Sequence, residues 1–162
     1  MEFNKKAKDL LKKSGWKLGR NITEEKLELP YNDYPDFVVK FLKEYGNLKI
    51  DCDVQDYTEV INELYTDPSI PKEKLEGDNY IPYYQSILKK KLYPIGLYVY
   101  DSYDICCDSD GKVYMIGEYC YYRGNNLYEG IENILLGWEN CLQLDEDTGK
   151  WWNENTEYVE LP

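Results

Sequence analysis

The stretch "YPIGLYVYDSYDICCDSDGKVYMIGEYCYYRG", residues 93–124, decides how this chain folds. It reads as consecutive strands broken by turns, and Asp110-Gly111 is a strong hairpin signal. In the alternating run after Asp104, Cys106 is expected to point into the core and Cys107 the other way, because a strand has a side-chain period of two. The "DSDG" within it invites a calcium reading, which fails on inspection. Aligning Asp108, Asp110 and Gly111 to positions three, five and six of a calcium loop puts Cys106 first and Gly117 twelfth, where carboxylates are needed. The turn is a hairpin.

Helices surround this core. Phe3, Ala7, Leu10 and Leu11 share one helical face, with Lys5, Lys6, Lys8, Lys12 and Lys13 solvated on the others. Gly15 makes a good exit. "NDYPDF" opens a second helix, with Asp33 as N-cap and a core stripe of Phe37, Val38, Phe41, Leu42 and Tyr45, closed by Gly46. "LKID" reads as a short strand. Residues 52–66 fit two readings: Val54, Tyr57, Ile61 and Leu64 have helical spacing, while "TEVI" suits a strand. After a polar linker, "TDPSIPKEKLEGDN", a third helix over about residues 78–91 buries Ile81, Tyr84, Ile87 and Leu88. Asn126 caps a fourth, with Glu129 at N3 as in a capping box and Leu127, Ile131, Ile134 and Leu135 as its stripe before Gly137. The tail, "CLQLDEDTGKWWN", predicts one more hairpin around an Asp-Thr-Gly turn.

Composition limits the chemistry. At 162 residues a single domain is expected, able to bury about 70% of its unfolded surface. No apolar run approaches the roughly 18 residues that cross a bilayer. The charged N-terminus lacks the apolar region of a secretory signal, so the cytosol is the expected compartment. Five cysteines, two of them adjacent and without CxxC spacing, do not form a disulfide or zinc framework; reduced, structural thiols are expected. The chain has no histidine, which removes Ser-His-Asp and Cys-His nucleophiles, the histidine base and the HExxH metal site. GxGxxG and GxxxxGK are absent too. No metal, cofactor or turnover is expected. Paired carboxylates remain the one catalytic alternative, a hydrolase of the glycosidase type.

Charge points to a partner. The net charge is −12. Residues 1–20 hold seven basic and two acidic side chains, about +5, leaving about −17 on the remainder. Acids run along Asp51, Asp53, Asp56, Glu59, Glu63 and Asp67, then Asp101, Asp104, Asp108 and Asp110, then from Glu139 to Glu160. Such a body repels nucleic-acid phosphates and anionic membranes and attracts a basic protein. Eighteen tyrosines against three phenylalanines add the favoured anchor of protein interfaces. Tyrosine with carboxylate suits a partner rich in arginine and lysine.

The order of four motifs is similar to a known family. "SGWKLGRNI", "FVVKFLKEYGNLKI", "LYPIGLYVYDSYDICCDSDGKVYMIG" and "RGNNLYEGIENILLGW" resemble the third subfamily of the SUKH superfamily of bacterial immunity proteins. That subfamily has a Gly-Trp…Arg opening, a helix ending Phe-Leu-x-x-Tyr/Phe-Gly-x-Leu, a Pro-x-Gly strand entry, an Asp-x-x-Gly-x-Val-Tyr hairpin and a helix closed by Leu-x-Gly. The likeness covers about residues 8–138, with 139–162 as an additional C-terminal hairpin.

The resemblance implies an α+β fold, a central, largely antiparallel sheet flanked by helices in a single domain. It implies that segment 57–66 is a strand. It also implies a cytoplasmic antidote, a monomer, that binds and neutralises a polymorphic toxin domain, many of which are basic nucleases. A SUKH-like regulatory or scaffold module is the other binding role it leaves open. Gly15, Trp16, Arg20, Gly46, Gly96, Gly111 and Gly137 become its structural signature, with Trp16 plugging the gap between the first helix and the sheet, and Arg20 anchoring its loop to a carboxylate or to carbonyls. The expected partner surface is Asp51, Asp53, Asp56, Tyr57 and Glu59, where the chain resembles the family least, with Tyr103 and Asp104 of the hairpin as second choice.

Overall fold

A computed structural model of the chain describes residues 1–54, 61–71, 80–99 and 102–162. Residues 93–124 form four successive antiparallel strands: β3 Tyr93–Val99, β4 Tyr103–Cys107, β5 Val113–Ile116 and β6 Cys120–Gly124. They are the centre of a nine-stranded sheet whose spatial order follows the chain, from β1 (Lys49–Asp51) and β2 (Glu63–Tyr65) to β7 (Leu142–Leu144), β8 (Trp151–Trp152) and β9 (Tyr158–Val159). All eight pairings are antiparallel. Neighbours in the sheet are neighbours in the chain, so no connection crosses the sheet, and the turns within β3–β6 and β7–β9 are short.

Every residue of β4 and β5 is buried, because both faces of the sheet are covered. On the first face, Tyr103, Ile105, Cys107, Val113 and Met115 meet α1 (Lys5–Lys13), α2 (Glu24–Leu27), α3 (Asp36–Tyr45) and α5 (Leu127–Leu136). On the second, Cys106, Tyr114, Ile116 and Tyr122 pack with Ile81 and Tyr84 of α4 (Tyr80–Leu88) and with Leu144 and Trp151 of the tail. Cys106 and Cys107 do point to opposite faces, but both faces are core: Cys107, expected to point away, lies in the first, and Cys106 in the second. All five cysteines are free thiols.

Local chemistry sets the helix ends. The Asn4 side chain accepts from the Ala7 N–H, and Asn126 accepts from the Glu129 N–H at 3.0 Å while the Glu129 carboxylate reaches back to the Asn125 N–H at 3.1 Å. Both arginines of the chain close other helices. Arg20 Nη1 donates to the Glu44 carbonyl in the last turn of α3 (3.0 Å). Arg123 Nη2 donates to the Asn133 carbonyl (2.8 Å) and to that of Gly137, at the end of α5. A cation there meets both the orphan carbonyls and the negative end of the helix dipole.

Several local expectations are corrected. Asp33 does not cap α3, which starts after Pro35 with no side-chain cap; its carboxylate takes two bonds from Lys91 Nζ instead. Phe37 is exposed rather than in the core, and lies over the Gly111 turn. The third helix ends at Leu88 rather than 91, and residues 78–79 lie outside the described residues. The tail forms three strands, since a second turn at Asn153–Thr156 adds β9. Of the strand implied over 57–66, the described residues form only the shorter β2, Glu63–Tyr65, and residues 55–60 lie outside the described residues.

The buried phenols and thiols give a pH dependence. Burial, foremost, raises the pKa of Tyr34, Tyr45, Tyr84, Tyr114, Cys106, Cys107 and Cys120, and pushes Cys52 and Tyr122 up to about 12. A raised pKa on a group that is neutral when protonated means the folded state holds the proton more tightly. That stability is present in full below the unfolded values of about 8.5 for thiol and 10 for phenol, and is lost as pH climbs toward the folded ones. Alkaline titration is expected to show a fast set of exposed phenols and a second set ionising only as circular dichroism reports unfolding. Simultaneous ionisation of all eighteen tyrosines below the unfolding transition would contradict this.

Candidate partner-binding surface

The signature residues sit at packing and turn positions. Trp16 is buried and lies flat on Tyr45 of α3, ring centroids 5.6 Å apart and planes 18° apart, sealing α1 against α3. Gly15, Gly46 and Gly137 follow the ends of α1, α3 and α5, and Gly111 turns the β4–β5 hairpin. Gly96 sits at a bulge in β3 where any Cβ would collide with the Tyr65 carbonyl of β2.

Among the described residues, the expected partner residues fall at two separate places, Asp51 and Asp53 at β1 and Tyr103 and Asp104 in β4. Asp51 is exposed in β1 and Asp53 just beyond it, but the Asp53 carboxylate pairs with Lys6 Nζ at 2.6 Å. Nearby Glu63 accepts from Lys49 at 3.0 Å and from Tyr65 at 2.9 Å, and these partners lower its pKa, Lys49 first. Asp56, Tyr57 and Glu59 lie outside the described residues. Tyr103 and Asp104 are not on a loop; both are buried inside β4, and the Tyr103 ring packs over Gly117.

A groove at the far end of the sheet combines the chemistry that those residues were chosen for. It holds about 760 Å³ between the β5–β6 turn, the segment after α5 and the tail strands. Tyr119, Tyr121, Trp138 and Trp152 give it aromatic walls, and Asp147 and Glu154 an acidic rim. Tyr121 meets Trp138 edge to face at 5.5 Å, and Trp152 meets Tyr158 at 4.7 Å. The Arg123 guanidinium supports Trp138 from 5.1 Å.

The β7–β8 turn holds its shape through its own acids. The Asp145 carboxylate accepts from Tyr158 Oη (2.6 Å), Thr148 Oγ1 (2.8 Å) and the Asp147 N–H (3.0 Å). These donors, Tyr158 first, hold its pKa down at about 2. Glu146 accepts from both Tyr83 and Tyr84 Oη at 2.7 Å, tying the turn to α4. A second groove, about 700 Å³, is lined by Arg20, Lys40 and Lys43 as well as Glu24, Asp36 and Glu44, and so has no marked sign.

The SUKH-3 immunity protein family model matches residues 3–137. The chain belongs to the SUKH-3 immunity protein family. No curated protein and no solved structure matches it. In this SUKH-3 protein the match stops at Gly137, the residue after α5, so Trp138 and all of β7–β9 lie beyond it.

That unmatched segment is chemically unlike the rest of the SUKH-3 chain. Residues 138–162 hold seven acids against the single cation Lys150, a net −6, half of the chain's −12. Three of the four tryptophans are there. None of its acids forms an ion pair among the described residues, whereas Asp33, Asp53, Glu63, Asp108 and Asp110 do. The signal was in the sequence as the coincidence of tryptophan and acid. Which side chains share a groove depended on how β6 to β9 curl over α4.

Proposed function

We propose that this immunity protein neutralises a basic toxin domain by binding it one to one, without turnover of its own. The observation that carries the reading is the charge distribution on a family-matched scaffold. The −12 body presents exposed carboxylates at both ends of its sheet, at Asp51 and Asp53 beside β1 and along the tail beyond Gly137. An interface of standard size needs roughly 800 Å² on each partner, with aromatic anchors inside an acidic or basic rim. Binding also fits the titration of the acids. Glu2, Asp33, Glu63, Asp110 and Asp145 all shift downward, so each is an acceptor held ionised, whereas a glycosidase acid needs its pKa raised.

The test uses the cognate toxin domain. Co-expression is expected to restore growth, and the mixed proteins are expected to elute as a one-to-one complex. The variant D53K/D56K/E59K asks whether the sheet end at β1 takes part. Loss of protection with an unchanged unfolding midpoint would place the contact there; unchanged protection would remove that end from the interface. Absence of any complex with the wild-type protein would sink the reading.

A further inference from the structure

We infer that the aromatic groove built by the tail strands is the docking site for an arginine-rich segment of the toxin. The inference rests on the immunity reading above and names the surface and the chemistry of its ligand.

Charge complementarity selects the occupant. A net −6 over residues 138–162, none of whose acidic side chains forms an ion pair among the described residues and whose one cation, Lys150, sits over the Tyr158 ring at 5.2 Å, repels nucleic acid and a second copy of this acidic chain alike. A basic protein segment is attracted. The aromatic walls then favour arginine over lysine. A guanidinium stacks flat on a ring while its fork bonds a carboxylate, whereas an ammonium is a compact, strongly hydrated point charge. The molecule already shows this contact from within: Arg123 lies 5.1 Å from the ring centre of Trp138, whose side chain is 40% exposed.

Rigidity is the second requirement. Glu146 is fastened to two tyrosines, Asp145 to a tyrosine, a threonine and a backbone N–H, and β7 continues the sheet from β6. The walls therefore lose little freedom on binding. Tyr119, Asp147 and Glu154 project outward, and Asp147 and Glu154 make no side-chain hydrogen bond or ion pair among the described residues, so they are free to meet a ligand.

The experiment titrates the full chain with three capped peptides, hexa-arginine, hexalysine and hexaglutamate, following heat and tryptophan fluorescence. Hexa-arginine is expected to bind several-fold tighter than hexalysine, and hexaglutamate not at all. D147K/E154K and Tyr119→Ala are each expected to weaken hexa-arginine at least tenfold while the unfolding midpoint stays within error. Equal binding of the two basic peptides, or hexa-arginine binding untouched by both variants, would overturn the groove as an arginine site. The same variants are then measured against the cognate toxin domain. A toxin bound as tightly by D147K/E154K as by wild type would overturn the docking site and leave the immunity reading standing. A wild-type protein that binds hexa-arginine but no toxin domain would remove the immunity reading and this role together.

Discussion

Replacing Asp108 with alanine is expected to destabilise the protein by about 3 kcal/mol, the lower end of the range found when one partner of a buried pair is removed. Asp108 is fully buried at the β4–β5 hairpin. Its carboxylate accepts from the Asp110 and Lys112 N–H groups (2.9 and 3.0 Å), from Tyr114 Oη (3.0 Å) and from Lys90 Nζ (2.9 Å). Truncation leaves these donors without their acceptor, and two belong to the turn that sets the register of the central strands. The Lys90 side chain is 36% exposed and can turn to water, or to Asp110 at 2.8 Å, which keeps the cost at the lower end. Asp108→Asn should recover part of the loss, since its carbonyl oxygen still serves the turn. Urea unfolding reads both variants, as a lower midpoint at unchanged slope. A midpoint unmoved by D108A would show that the turn holds without its carboxylate.

Arg123→Met is expected to cost about 2–4 kcal/mol, from two charge-assisted bonds at about 1.5–3 kcal/mol each, less the relief of removing a buried cation. Arg123 is 1% exposed and pairs with no carboxylate among the described residues. What stabilises its charge is the end of α5: the Asn133 and Gly137 carbonyls, and the Trp138 ring below. Asn133 Nδ2 returns a bond to the Arg123 carbonyl at 2.7 Å, so helix and strand clasp each other. Methionine fills the volume but leaves two helix-end carbonyls unpaired. Lysine keeps the charge without the fork, and Arg123→Lys should fall between. At about 2–4 °C per kcal/mol for a chain of this size, the methionine variant should melt roughly 4–16 °C lower. Because Trp138 rests on the guanidinium, its fluorescence should change in the folded variant. A methionine variant as stable as wild type would mean that the buried cation costs as much as its bonds return.

The central strands were legible because two signals agreed: an Asp-Gly turn and apolar residues on both sides of it. The second core was less so, since a strand buried on both faces shows no alternation. Asp33 shows a local signal overridden by a tertiary one; a capping residue by type, it is claimed by Lys91. Phe37 shows the reverse, an apolar residue in a helical stripe that ends over a turn. The partner surface was chosen by charge and by departure from the family. Charge alone could not reveal that Lys6 answers Asp53 or that β4 buries Asp104. The tail was expected as a hairpin; the groove it closes needs residues from three separate parts of the chain, and no local pattern encodes that.

The most direct test of the account is the association rate of the protein with the cognate toxin domain as salt rises. Going from about 0.01 M to about 1 M ionic strength shortens electrostatic reach from about 30 Å to about 3 Å. An acidic body steering a basic partner should then associate at least about tenfold more slowly, with the dissociation rate changing far less. A tight complex whose association rate does not depend on salt would contradict the account, because its partner would not be recognised by charge.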